Sequence, residues 1–270
     1  MHKHAQAAFF GPYRLIRPLA PSRLGERHLA LHVRRQTSHV VHRFRVCRDR
    51  VERRRFTAAL DALTRLAHPH LLRVEQFSFG AAGRPHAVTP YTGSHDGLLT
   101  LRMLLDQKGG RLSEFEALRL LEHLLDASAH AHEHGLCHGG VDPEEVLIDR
   151  SGCVLIEHYG LARAIHADSD DAGARNDEVL SILRLGYEAL TGVVPQSPMV
   201  RPTRLIRLAD REWDAFFEAC LDGAEPLDPV RVLARLPGRQ RRSDTDADRL
   251  GPVRVALRRL ARAAPAMNED

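Results

Sequence analysis

Runs in which apolar and polar residues alternate come first along this chain, and runs with apolar residues three or four apart come later. Tyr13–Leu19, Glu26–His32 and Ser38–Val46 alternate or are β-branched between turn residues, which predicts an antiparallel meander. In Val51–Leu66 the spacing of Phe56, Leu60, Leu63 and Leu66 predicts an amphipathic helix that ends at His68-Pro69. Leu71–Phe79 and His86–Tyr91 read as two more strands on either side of a turn at Gly80–Gly83. Helices are predicted over Leu98–Gln107, Ser113–His134, Asp177–Leu190 and Arg211–Leu221, with Ser113 and Glu116 forming a capping box. Strands grouped first and helices later predict an α+β architecture.

Composition narrows the class. With 270 residues, 43% of them apolar, the chain can bury a core for one large two-lobed domain or two small ones. No apolar run approaches the length of a membrane span, and the start, MHKHAQAAFFGPY, lacks the apolar stretch of a secretory signal. Cys47, Cys137, Cys153 and Cys220 are scattered with no C-x-x-C pair, so a reducing cytoplasm is expected. Of 39 basic residues only Lys3 and Lys108 are lysine.

Charge is uneven. Arg34–Arg55 holds nine arginines against Asp49 and Glu52, a local net of +7. Such a run suits RNA, an anionic membrane, an acidic protein or simply a solvated face. Only Phe44 and Phe56 interleave it, too few aromatics for base stacking, so no nucleic-acid partner is expected. Residues 237–270 carry eight arginines against five acids. There "PGRQRRSDTDADR" reads as a polar linker, followed by a stripe of Leu250, Val253, Leu257 and Leu260 in a basic helix over 252–264. That helix can pack on its own domain, on a partner or on a membrane; it lacks Trp and Phe, which favours protein.

Five motifs in order carry a resemblance. "FTAALDALTRLAHPHLLRVEQF", "GRPHAVTPY", "AHAHEHGLCHGGVDPEEVLID", "VLIEHYGLARA" and "EVLSILRLGYEALTG" resemble successive segments of bacterial-type Ser/Thr protein kinases. They match that family's regulatory helix with its His-Pro turn, the hinge, the catalytic loop, the D-F-G segment and the helix that anchors the loop. The resemblance covers roughly residues 11–236 and implies a two-lobed kinase-like fold, with a β-rich lobe over 1–92 and a helical lobe over 93–236.

The chemistry at the matching positions differs. In H-R-D-L-K-P-E-N the aspartate orients the hydroxyl nucleophile and the asparagine holds a magnesium. Here Gly140 and Glu145 stand at those positions, and Asp142 replaces the lysine. His158-Tyr159-Gly160 replaces D-F-G, and Ala59 replaces the regulatory-helix glutamate. The strand lysine falls at His42 or Arg43. Ala20-Pro21-Ser22-Arg23-Leu24-Gly25 keeps one glycine of the phosphate-covering loop, and Pro21 offers no N–H. Of nearby carboxylates only Glu145 and Glu157 could recruit a metal, and no metal site is expected.

For a nucleotide, the resemblance implies a pocket of Arg27, Arg43, Thr89, Pro90, Thr92 and Leu147, with Pro90 C=O and Thr92 N–H facing an adenine edge. Arg27 in place of the usual roof valine can stack on a base. Any ATP binding is expected to be weak and metal-independent, and no cofactor is expected. Leu63, Val74, His138 and Tyr159 match the family's internal apolar column, and Glu178 matches the aspartate that anchors the catalytic loop. Only residues 161–177 separate the H-Y-G turn from that helix, so the substrate-docking segment is short. Asp228 stands where an arginine of that segment's ion pair belongs. His130 and His134 share a helix face at zinc-binding spacing, but His132 and His138 sit where the family carries histidines, so a structural role is expected.

These readings lead to an expectation of a cytoplasmic pseudokinase. It would not be an enzyme, and would act as a scaffold or regulatory interaction module with a protein partner, an acidic one among the candidates, and no integral membrane association. The alternative reading is a weak ATP-binding Ser/Thr kinase-like phosphotransferase with an atypical site.

Overall fold

The computed structural model describes residues 8–80, 83–166, 171–207, 211–223 and 225–238. The basic linker and the helix expected over 252–264 lie outside these residues.

The early alternating runs form one antiparallel sheet of β1 (Phe9–Phe10), β2 (Tyr13–Ser22), β3 (Gly25–His32), β4 (Thr37–Phe44), β5 (Gln76–Phe79) and β6 (Pro85–Pro90), in the order β1-β2-β3-β4-β6-β5. Strands β1 to β4 are neighbours in sequence order, as a meander requires. The β2–β3 hairpin closes at Ser22↔Gly25. A Cβ on Gly25 would lie 2.2 Å from the Arg43 carbonyl oxygen, so only glycine allows β4 to approach there.

Helix α1 (Arg50–Arg65) crosses between β4 and β5 and buries Phe56, Leu60 and Leu63. Its N-cap, Asp49, accepts from the Glu52 N–H. The strand expected over Leu71–Phe79 forms only from Gln76. Residues before it bond elsewhere: Leu72 N–H donates to Ile156 O at 2.9 Å, and Ile156 N–H donates to His70 O at 2.9 Å. The segment up to Leu72 therefore binds the second sheet, and the chain joins the first from Glu75, whose N–H donates to Val88 O at 2.9 Å.

That second sheet is β7 (Leu99–Thr100), β8 (Val146–Ile148) and β9 (Val154–Ile156). Around it lie α2 (Leu101–Gln107), α3 (Glu114–Glu133), α4 (Leu161–His166), α5 (Asp171–Thr191), α6 (Pro202–Leu205), α7 (Glu212–Leu221) and α8 (Pro229–Ala234). The Ser113–Glu116 capping box forms, and Lys108 Nζ also reaches Glu116 at 2.6 Å. Trp213 is a core residue whose Nε1–H donates to Glu114 Oε1 at 2.9 Å. Helix α5 begins six residues before the expected Asp177, so part of the short segment after the H-Y-G turn is helical. Asp228 caps α8 by accepting from the Arg231 N–H at 2.8 Å. Among the described residues, no helix is long and apolar enough to cross a membrane.

Candidate functional site

The cleft lies between the β2–β3 hairpin, β4, the loop from His138 to Glu145, and the turn after β9. Side chains on neighbouring strand positions point to opposite faces. Arg27 and His42 sit directly across from one another in the β3–β4 register, and both are buried. Arg43 lies on the other face, half-buried, with Nη1 3.2 Å from Glu26 Oε2. The choice left open by the sequence is thus settled: His42 faces the cleft. Arg43, expected in the nucleotide pocket, is corrected to the outer face because it follows His42 on the strand.

Four buried polar side chains meet behind the hairpin. Arg27 Nη2 donates to Glu157 Oε2, and Arg27 Nη1 reaches Ala20 O at 3.4 Å. Glu157 also lies 3.6 Å from His158 Nδ1 and 3.9 Å from His42 Nδ1. The His42 and His158 rings meet edge-to-face at 4.2 Å, and His42 Nε2 bonds Thr89 Oγ1 at 2.9 Å. His158 holds a positive φ of 48°, unusual for a side chain of this size. Arg27 Nε, His42 Nδ1, Glu157 Oε1 and His158 Nε2 are buried without a hydrogen-bond partner. Burial alone would raise the Glu157 carboxyl; His158, His42 and Arg27 outweigh it and hold the group well below its ordinary range. Burial, then His158 and Arg27, push His42 well below its usual value against the opposing pull of Glu157.

The pairing of Arg27 with Glu157 was not foreseen, since the residues are 130 apart and neither belongs to a spacing pattern. Thr89 and Leu147 are fully buried, while Pro90 and Thr92 are half-buried along the hinge. Ala59 packs partly buried against the main core. The buried acid of α1 is Glu52 instead, taken up by Arg45 and by the Arg48 N–H at 2.5 Å.

On the loop, Gly140 is exposed, and a Cβ built there meets nothing within 4 Å. At the hairpin tip Arg23 reaches across to Asp142 at 3.7 Å and to Glu145 at 3.9 Å. Glu145 is nearly buried and its Oε2 lies 3.7 Å from His138 Nε2. A hard cation such as Mg²⁺ takes oxygen ligands. The residues at the metal positions of the kinase resemblance are the imidazole of His158 and the single carboxylate of Glu145, and the neighbouring Glu157 is already engaged by Arg27. This donor set does not fit a magnesium–nucleotide complex.

A second buried carboxylate holds the loop from below. Glu178 Oε2 accepts the His138 N–H at 2.5 Å and lies 3.2 Å from His132 Nε2, and Oε1 accepts the Tyr159 hydroxyl at 2.5 Å. Burial opposes its ionisation, but His132 and Tyr159 hold its pKa below the ordinary value. Leu63, Val74, His138 and Tyr159 are all buried, and the His138 and Tyr159 rings meet edge-to-face at 5.4 Å. Val141 N–H donates to Ser181 Oγ at 2.8 Å, a second tie to α5. Of the four histidines with suggestive spacing, His132 and His138 belong to this network. The His130 and His134 rings lie tilted to one another at 4.4 Å, with His134 Nδ1 bonded to His130 O.

Comparison with known proteins places this geometry. A family model described as protein tyrosine and serine/threonine kinase matches residues 26–193, more than half of the chain. CBL-interacting protein kinase 17 of Oryza sativa subsp. japonica is 30% identical over 168 residues, covering 60% of this chain and 35% of the relative. Serine/threonine-protein kinase PrkC of Bacillus subtilis is 24% identical over 157 residues, covering 57% and 23%. The chain thus spans about a third or less of the length of these curated relatives. The crystal structure of the Mycobacterium tuberculosis PknI kinase domain superposes with a TM-score of 0.67 at 21% identity, over 87% of this chain and 98% of that one. The fold is therefore the two-lobed kinase fold. The expectation that the chain is not an enzyme is overturned by these relatives, which are named as protein kinases.

Proposed function

The chain belongs to the protein tyrosine and serine/threonine kinase family, and we propose that it is a regulatory kinase-type domain that works through a protein partner, with a cleft latched by Arg27 and Glu157. The buried pair carries this reading. A guanidinium and a carboxylate, each with 2% of its side chain exposed, lie under the hairpin where the resemblance puts adenine and phosphate. A nucleotide entering there must displace or stack on Arg27, so binding is weak and needs no metal. The kinase-type unit ends at 236, where Leu236 still packs in the core, with the lobes dividing at 92 and 93. The setting is cytoplasmic, in keeping with four cysteines that carry no disulfide.

The partner is an acidic protein segment docked on α1. Arg50, Arg53, Arg54 and Thr57 line a shallow groove with Phe77, and Arg53 lies 4.5 Å over the Phe79 ring. Charge complementarity of this kind speeds encounter at low salt and is screened as ions are added.

A second reading rests on another observation. Asp142 and Glu145 present carboxylates to Arg23 of the phosphate-covering hairpin, which favours an atypical phosphotransferase whose charges are moved instead of lost.

Thermal shift with ATP and ADP, with and without Mg²⁺ or Mn²⁺, tests the latch on the wild type and on Arg27→Val/Glu157→Gln, which leaves no lone buried charge. The double variant should gain a nucleotide-dependent rise in Tm that the wild type barely shows. A large, Mg²⁺-dependent rise in the wild type would remove the latch. Transfer of labelled phosphate by the wild type, lost in Asp142→Asn, would select the second reading. Arg53→Glu/Arg54→Glu/Arg55→Glu should abolish partner co-purification at unchanged Tm; retention of every partner would return α1 to plain solvated surface.

A further inference from the structure

Five histidine rings follow one another in a ladder behind the cleft, stacked at His130–His68 and His70–His123, tilted at His134–His130 and edge-on at His68–His70. His134 lies on His130 at 4.4 Å, His130 on His68 at 4.8 Å, His68 against His70 at 5.5 Å and His70 on His123 at 3.7 Å. Cys153 closes one end, its Sγ 3.4 Å from His70 Nδ1. The ligand atoms of His70, His123 and Cys153 all lie within 4.8 Å of one another. They come from three separate segments: the loop after α1, the middle of α3, and the turn between β8 and β9.

We propose that His70, His123 and Cys153 form a binding site for a borderline transition-metal ion, with Zn²⁺ the best match. Imidazole nitrogen and thiolate sulfur are the donors such an ion takes, at about 2.0–2.1 Å and 2.3 Å. At a tetrahedral angle those bond lengths separate nitrogen from sulfur by about 3.6 Å. The His70 Nδ1 to Cys153 Sγ distance of 3.4 Å is already close to that separation. Both rings now spend Nδ1 on the backbone of Val154: His70 lies 3.0 Å from its carbonyl oxygen, and His123 accepts its N–H at 3.3 Å. Metal binding exchanges these two ordinary hydrogen bonds for coordination. All three residues are half-buried, so solvent can take the fourth position.

The other close set, His42, Glu157 and His158, is less suited, because the Arg27 guanidinium already occupies the carboxylate. At the rear site Arg119 acts on the three residues only through its charge, its guanidinium lying 6.0 Å over the Phe115 ring. An ion there joins the end of α1 to α3 and to the β8–β9 turn, pinning the sheet lobe's crossing helix to the helical lobe.

Cobalt is the probe for this site, since Co²⁺ reports its ligands by colour. One equivalent of Co²⁺ added to the full chain should give a thiolate-to-metal charge-transfer band with the strong visible absorption of a tetrahedral ion, and Zn²⁺ should displace both. Cys153→Ser should abolish the charge-transfer band while its far-UV circular dichroism stays unchanged. His123→Gln should weaken Zn²⁺ binding by about tenfold or more, whereas His134→Gln should leave it unaltered. Zn²⁺ should raise the Tm of the wild type and not that of Cys153→Ser. A charge-transfer band that is missing in the wild type or survives Cys153→Ser overturns the proposal. Equal losses in His134→Gln and His123→Gln overturn it too, and move the ion to the outer end of the ladder.

Discussion

Two buried carboxylates, Glu157 in the cleft and Glu178 beneath the His138–Glu145 loop, sit close along the chain and are treated in opposite ways. Both Glu178 oxygens are engaged, by a backbone N–H, an imidazole and a phenol that each belong to the fold's internal frame. Glu157 has one hydrogen-bonded partner, Arg27, with His158 and His42 at 3.6 and 3.9 Å, and its Oε1 is left without a hydrogen bond among similarly unsatisfied neighbours. A satisfied buried network specifies structure, while a partly satisfied one is held together mainly by its own charge pair. The anchor of the loop is thus a satisfied network, and the cleft cluster a partly satisfied one.

The largest expected effect breaks that comparison directly. Glu178→Leu strands the His138 N–H, the Tyr159 hydroxyl and His132, and should cost about 3–5 kcal/mol in denaturant melts. Replacing both members of the other pair, as Arg27→Leu/Glu157→Leu, should instead be neutral or stabilising by about 1–4 kcal/mol. Equal losses in the two experiments would mean that the cleft cluster is as structural as the anchor.

A smaller change sharpens it. Tyr159→Phe keeps the ring in the apolar column and removes the hydroxyl's bond to ionised Glu178 together with its contact to Ser128, an expected loss of about 1.5–3 kcal/mol. An unchanged midpoint would show that the ring alone matters there.

The smallest effect concerns a third carboxylate. Glu52 is held down to about 2, chiefly by the Arg45 guanidinium and then by the Arg48 N–H, against an ordinary value of 4.5. Its ionised form favours the fold, so its contribution is complete above about 4.5 and is lost as pH falls toward 2. In Glu52→Gln the Tm should fall on the neutral limb, where the contribution is complete, and change little near pH 2, so the acid limb of the Tm–pH curve flattens. A parallel curve would assign the acid loss to other groups.

Much of the frame was legible in the sequence because it is written in local pattern. The α1 stripe, the Ser113 cap and the order of the five motifs each lie within a short window. Leu71–Leu72 departs from the expected strand because alternation shows a strand-like face but not which sheet its backbone will join. The cleft could be read only as substitutions: which of His42 and Arg43 faces inward depends on a one-residue register, and Arg27 meets Glu157 only after folding. His70, His123 and Cys153 gave no signal, since 53 and 30 residues separate them and metal-site spacing is looked for at three or four.

The β1–β4 meander pairs each strand with its neighbour in the chain, so its loops are short and cheap to close, and such contacts form early. The Arg27–Glu157 contact closes a loop of 130 residues and has to wait for both lobes. Contacts made after the rate-limiting step change the unfolding rate and leave the folding rate nearly alone. The latch is therefore a kinetic feature as well as an electrostatic one: altering it changes how quickly the cleft comes apart far more than how quickly the domain is made.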